Sequence, residues 1–237
     1  MPTRRVVMLI ADIGGYTDYM QYHRSVLGHA EAATTRMLDK VVDAATGFEL
    51  IEIEGDAVFL SRDVDGLDGD ATLEIVTGAA AASHQAFHAE RRLVELNMCP
   101  CGSCTKTAEL KLKFVAHVGE VATQTIKRRT KLVGVDVIYV HRLLKNPVEM
   151  PEYLLVSDEL YQDGGAAASA LDMQEISLDL EGIGDVRSHY VDVGDLEAAP
   201  LAEPSWPQRI GATFAMVGRG LPYAVGWPRR KAMSSAG

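Results

Sequence analysis

Cysteine, excess basic charge and long apolar runs are what this 237-residue chain lacks, and each shortage removes a class of protein. Cysteine occurs three times, at Cys99, Cys101 and Cys104 within "NMCPCGSC". Three crowded residues cannot build a disulfide framework, so they read as thiols or metal ligands in a reducing compartment. Basic residues number 23 against 33 acidic ones, a formal net charge of −10. Phosphate backbones require a basic face, which argues against general nucleic-acid binding, and any phosphate-bearing ligand has to be held locally. No run approaches the ~20 apolar residues that span a bilayer and no N-terminal stretch has the length of a signal peptide, so a cytoplasmic protein is expected. Internal repeats and true low-complexity segments are absent as well.

What is present is an ordinary globular composition, 47% hydrophobic, enough for one good core and an appendage. "RRVVMLIADI" is a continuous apolar run suited to a strand covered on both faces. From Thr17 to about Ala45 the apolar spacing turns helical, with Gly28 a candidate interruption. "GFELIEIEGDAVFLS" predicts two short strands turning at Glu54-Gly55, with Asp56 at the tip. The aspartate-rich "RDVDGLDGD" reads as a solvated loop, since its spacing does not match a calcium-binding loop. An alanine-rich helix follows, from about Ala71 to Leu96. "LKLKFVAHVGEVA" alternates as a half-buried strand that stops at Gly119, and "TQTIKRRTKLVG" returns antiparallel to it. "VDVIYVHRLLKN" is helical and stopped by Pro147, and a strand, a short helix and a final hairpin complete the pattern. The order β-α-ββ-α-ββ-α-β-α-ββ predicts an α+β, ferredoxin-like sandwich over residues 1–197 with extra hairpins. Residues 198–237 form a C-terminal tail richer in Pro, Gly and Trp, with one short amphipathic helix near Ile210–Val217.

"LIADIGGYTDYM" raises a question, because a buried strand ends on Asp12 beside two glycines and then opens a helix. In a ferredoxin-like sheet the first strand neighbours the hairpin that carries Asp56, so the two carboxylates can share a cation. Hard cations such as Mg²⁺ or Mn²⁺ take carboxylate and carbonyl oxygen, and Gly14 and Gly15 allow backbone N–H groups to approach a polyphosphate. The chemistry points to two-metal phosphoryl transfer. The plainer alternative is that Asp12 caps the helix and Asp56 merely occupies its turn.

Four segments, in order across about residues 5–195, carry a family resemblance. "ADIGGYTDYM" resembles the first metal-binding segment of class III nucleotidyl cyclases, "EIEGDAVFL" that family's Gly-Asp hairpin, "AHVGEV" its Gly-Glu strand end, and "LVGVDVIYVHRLLKN" its Gly-x-x-Val-Asn-x-Ala-x-Arg segment. The chain is also similar to a bacterial subgroup with a compact Cys-x-Cys-x-x-Cys cluster. The resemblance implies that Asp12 and Asp56, helped by the Ile13 carbonyl, hold two Mg²⁺ or Mn²⁺ ions. It gives the backbone of Gly14, Gly15, Tyr16 and Thr17 the triphosphate and Arg142 the charge that develops on phosphorus. The implied reaction turns a nucleoside triphosphate into a 3′,5′-cyclic nucleotide and pyrophosphate. It further implies a head-to-tail homodimer in which one subunit supplies Asp12 and Asp56 and the other Glu52, Lys131 and Arg142.

Three departures qualify that reading. The family's ribose-orienting asparagine falls on Ile138, which offers no hydrogen bond. Its base-reading positions fall on Glu52 and Lys131; the first would suit guanine, the second fits neither adenylyl nor guanylyl patterns. The pair either reads a base or closes into a salt bridge of its own. A catalytically degenerate module that binds nucleotide or a protein partner is therefore the alternative function. Cys99, Cys101 and Cys104 fit structural Zn²⁺ with a fourth ligand from His84, His88 or a partner subunit, or an iron–sulfur or redox role, or reduced thiols. His117 reads as a core or interface residue, and "KRRTK" (127–131) as solvated charge. The aromatic and arginine residues of the tail, among them Trp206, Arg209 and Phe214, read as packing back on the domain.

Overall fold

The apolar run at the N-terminus becomes β1 (Arg4–Gly14), and its position explains its composition. In the computed structural model, which describes residues 3–22, 27–96, 106–127, 129–196 and 203–214, β1 lies between β3 (Ala57–Asp63) and β4 (Lys111–Ile126), antiparallel to both. Val7, Leu9, Ala11 and Ile13 point into one core and Val6, Met8 and Ile10 into another, so no position from Val6 to Ala11 could be polar without burying an unpaired group.

β2 (Glu49–Glu54) pairs with β3 as the expected hairpin, and Gly55 at its turn has φ +69°. The sheet order is β2-β3-β1-β4-β6-β8-β7, with β6 (Tyr153–Ser157) parallel to β4 and β7 (Gln174–Leu180) and β8 (Gly184–Asp192) forming the last hairpin. The portion β2-β3-β1-β4 has the ferredoxin-like order. On one face lie α1 (Tyr16–Tyr22), α2 (Leu27–Ala44), α3 (Gly69–Glu95), α5 (Asp158–Asp163) and α6 (Gly165–Ser169). The other face receives α4 (Val135–Leu143) through Tyr139, Val140 and Leu143.

The described part of the helical stretch after β1 comprises α1 and α2, and Gly28 sits inside the first turn of α2. α3 starts where Asp68 accepts the Ala71 N–H at 2.8 Å, so the last aspartates of the acidic loop act as cap and first turn. β4 does not stop at Gly119. It continues to Ile126 and is met by β5 (Arg129–Val133), because the glycine makes room for the Asp136 carboxylate, whose Oδ2 accepts the Glu120 N–H at 2.7 Å. A Cβ at Gly119 would lie 2.4 Å from Asp136 Oδ2.

The short C-terminal helix spans 206–214, four residues earlier than its expected start, and packs back on the domain. Arg209 Nε donates to the Leu96 carbonyl at 2.9 Å, closing the C-terminal end of α3, and Ala212 is buried. Among the described residues no helix is long and apolar enough to cross a membrane.

Gly119→Ala displaces the Asp136 carboxylate and uncaps the Glu120 N–H. Chemical denaturation will read a loss of about 1–3 kcal/mol.

Candidate functional site

Strand alternation decides where Asp12 points. Ile13 and Ala11 face the helices, so Asp12 emerges on the α4 face, directly between Ala57 of β3 and Lys113 of β4. Lys113 Nζ lies 3.1 Å from Asp12 Oδ2, with both side chains partly buried. Asp56 is brought to the same place by the backbone, since the Ile13 N–H donates to the Asp56 carbonyl at 3.1 Å and ties the hairpin turn to the end of β1.

The two carboxyls influence each other. Burial and then the negative charge of Asp12 push the Asp56 carboxyl above its usual range, against a backbone hydrogen bond of its own and the Lys113 charge. The Tyr16 hydroxyl is pushed up by burial and by the charges of Asp56 and Glu31. Asp12, Asp56, Lys113 and Tyr16 thus form one electrostatic cluster at the C-terminal end of β1. Gly14 closes the strand opposite Lys111, and Gly15 adopts φ +81°, a left-handed turn that a side chain would strain. Its carbonyl accepts the Tyr19 N–H at 3.0 Å and so starts α1. Thr17 follows exposed in the first turn.

The other sequence-predicted residues lie apart from this cluster. Glu52 is exposed on β2 opposite Phe59, and Lys131 is exposed on β5 opposite Gln124. β2 and β5 approach each other. Among the described residues, however, Glu52 and Lys131 form no ion pair with each other, so the self-closed salt bridge is not what the fold builds. Arg142, on α4, is ion-paired with Glu181 of the β7–β8 turn. Ile138, one helical turn before it, is 54% exposed. Cys99, Cys101 and Cys104 lie outside the described residues.

His117 is buried, with Nδ1 2.8 Å from Ser157 Oγ and its ring stacked on Tyr139, which agrees with a core role. His84 and His88 meet a residue that sequence reasoning passed over. Glu152, just before β6, lies against both rings and accepts the Leu112 N–H at 3.0 Å. Burial pushes its carboxyl up, but hydrogen bonds from the two histidines, the His88 charge and the Leu112 N–H outweigh burial and hold it well below the carboxylate range. Burial lowers the His88 imidazole despite that carboxylate. Lys113 was also passed over. Its signal was the period-two pattern of "LKLKF", which marks Lys113 as a charge on the face opposite Leu112, once β4 is set in register beside β1.

The family model described as "Protein of unknown function (DUF2652)" matches residues 34–153. An uncharacterized protein of Mycobacterium tuberculosis, Rv2561/Rv2562, is 35% identical over 196 residues, covering 82% of this chain and 90% of that one. Among solved structures, the guanylyl cyclase Cya2 superposes with a TM-score of 0.60 at 17% identity, covering 85% of this chain and 98% of that chain. The guanylate cyclase domain of RhGC from Catenaria anguillulae, in complex with GTP, gives 0.58 at 15% identity, covering 81% and 98%. At such identities the likeness is one of fold, and the α+β architecture expected from the sequence is that of these class III cyclase domains.

The cluster yields a signed expectation for the metal-free chain. Because the Asp56 carboxyl is raised in the folded state, the stability it contributes is present below the ordinary carboxylate range and is lost as pH rises through the raised value. Asp12→Asn removes the repelling charge and will lower the Asp56 pKa, whereas Lys113→Met will raise it further. Carboxyl-carbon NMR titration of the three proteins reads both shifts; an Asp56 that titrates alike in all three would show that the groups do not interact.

Proposed function

Because the chain belongs to the DUF2652 family of proteins of unknown function and has the class III cyclase fold, its activity has to be argued from its site, and we propose that it is a divergent nucleotidyl cyclase. The reading rests on one observation, the meeting of Asp12 and Asp56 at the end of β1, close enough for the charge of one to shift the other. Two carboxylates and the Ile13 carbonyl are hard oxygen donors, and their mutual repulsion is relieved by positive charge, so the set suits two Mg²⁺ or Mn²⁺ ions. When bound, such ions neutralise charge on a triphosphate and make a ribose hydroxyl more acidic.

The chain's own residues take the remaining roles. Backbone N–H groups of Gly14, Gly15, Tyr16 and Thr17 hold phosphate oxygens, and the left-handed Gly15 opens that turn. Lys113 orients Asp12 through their ion pair. In a head-to-tail homodimer the second copy brings Glu52 and Lys131 to the base and Arg142 to the α-phosphate. The 3′-oxygen bonds to the α-phosphorus, the bond to the β-phosphate oxygen breaks, pyrophosphate leaves and the hydroxyl proton passes to solvent. Arg142 meets the charge on phosphorus after leaving Glu181. Residues 1–197 would carry this activity, with the tail an appendage.

A second reading, a nucleotide-binding module without turnover, is favoured by Ile138, which is exposed where the family carries a hydrogen-bonding side chain. Turnover separates the two. Purified protein given ATP, GTP, CTP and UTP with Mn²⁺ or Mg²⁺ will release cyclic nucleotide and pyrophosphate, detected by mass. Asp12→Ala and Asp56→Ala will abolish the product, and Ile138→Asn will raise the rate by about 10²-fold by restoring one positioned donor. Binding of triphosphate with no product from any nucleotide would make the second reading correct.

A further inference from the structure

Away from the Asp12 cluster, on the helix-covered side of the sheet, three metal-ligating side chains converge. His84 and His88 stand one turn apart on α3 and are 8% and 5% exposed; Glu152 reaches them from the segment before β6. His84 Nε2 and His88 Nε2 are 3.0 Å apart, and Glu152 Oε1 is 2.6 Å from the second and 3.3 Å from the first. The three atoms form one small triangle inside the protein.

Hydrogen bonds alone serve this triangle badly. A bond across the Nε2–Nε2 edge requires one ring to keep a lone pair there, and that lone pair then faces the anionic Oε1. If both nitrogens carry protons instead, two N–H groups abut at 3.0 Å, and Oε1, which already accepts the Leu112 N–H, takes three donors with about two lone-pair directions. One cation at the centre satisfies all three atoms together. A tetrahedral ion about 2.0–2.2 Å from each ligand sets ligand–ligand distances of about 3.3–3.5 Å, which match the His84–Glu152 edge, exceed the His84–His88 edge by a few tenths and require the His88–Glu152 edge to open by about 0.7–0.9 Å.

We propose that His84, His88 and Glu152 hold one divalent transition-metal ion of the zinc class. The two imidazole nitrogens are borderline donors, and with one carboxylate they make a set that suits zinc better than magnesium or calcium. Ligation requires neutral imidazole and ionised carboxylate, so binding is favoured as pH rises and protons leave the two rings. Outer contacts fix the carboxylate: the Leu112 N–H holds Oε1 at 3.0 Å, and Lys111 Nζ lies 3.8 Å from Oε2. The ion clamps α3 to the β4–β6 pair. It is separate from the Mg²⁺ or Mn²⁺ pair proposed above and needs none of the cysteines.

Zinc content tests the site independently of any turnover. The full chain carrying Cys99→Ser, Cys101→Ser and Cys104→Ser, stripped with a chelator and returned to buffered Zn²⁺, will bind one equivalent and gain thermal stability. Co²⁺ in that protein will show tetrahedral nitrogen–oxygen bands without thiolate charge transfer. Adding Glu152→Gln, or His84→Gln with His88→Gln, will weaken zinc binding by at least about 10²-fold, with folding checked by circular dichroism. An absence of bound zinc in the cysteine-free chain, or full retention in folded Glu152→Gln, would overturn the proposal. Should the double histidine variant fail to fold, Glu152→Gln and the Co²⁺ spectrum still decide it.

Discussion

The pairing of β1 between β3 and β4 is the constraint on which the rest of this molecule depends. It holds an apolar strand at the centre of a sheet with cores on both sides, and it fixes the register that puts Asp12 opposite both Ala57 and Lys113. A slip of one residue would send Asp12 into the helix-side core among Val7, Leu9 and Ala11, where an ionised carboxylate could not stay. The hydrophobic run therefore does more than fill space. It sets the orientation of the one charge at its end.

β4 extends that control to both faces of the sheet. Lys113 faces Asp12, while the neighbouring Leu112 donates its N–H to Glu152 beside His84 and His88. Adjacent residues of one strand thus anchor two polar clusters. Each cluster concentrates charge in a partly or fully buried place, and each is compensated by groups that come from distant parts of the chain.

How much was legible in the sequence follows from the range of the interactions. The β1 run, the Gly55 hairpin and α3 are local patterns that the structure bears out, and the fold implied by the ordered segments is the one shared with the solved cyclase domains. β4 was read as ending at Gly119 because glycine normally weakens a strand; the Asp136 side chain that occupies the space comes from the next helix, out of reach of a local pattern. Lys113 was visible only once β1 and β4 were set in register. Glu152 had no signal at all, since 64 residues of chain separate it from His88. The sequence offers His84 and His88 only as candidate fourth ligands for the cysteines, and the third group that gives the pair meaning is a product of the fold. Glu52 and Lys131 were placed on the correct strands, and only coordinates could show that they do not pair.

The Arg142–Glu181 contact has a consequence for how this surface responds to its medium. Glu181 is 79% exposed and Arg142 31%, so the attraction acts across water and is worth about 0–1 kcal/mol. So weak a hold leaves an appreciable share of molecules with an unengaged guanidinium at any moment. Counterions at ~0.15 M already screen charges beyond about 8 Å, and added salt competes further for both partners. Ionic strength, without any rearrangement of the backbone, thereby governs how often α4 presents a bare positive charge to whatever approaches it.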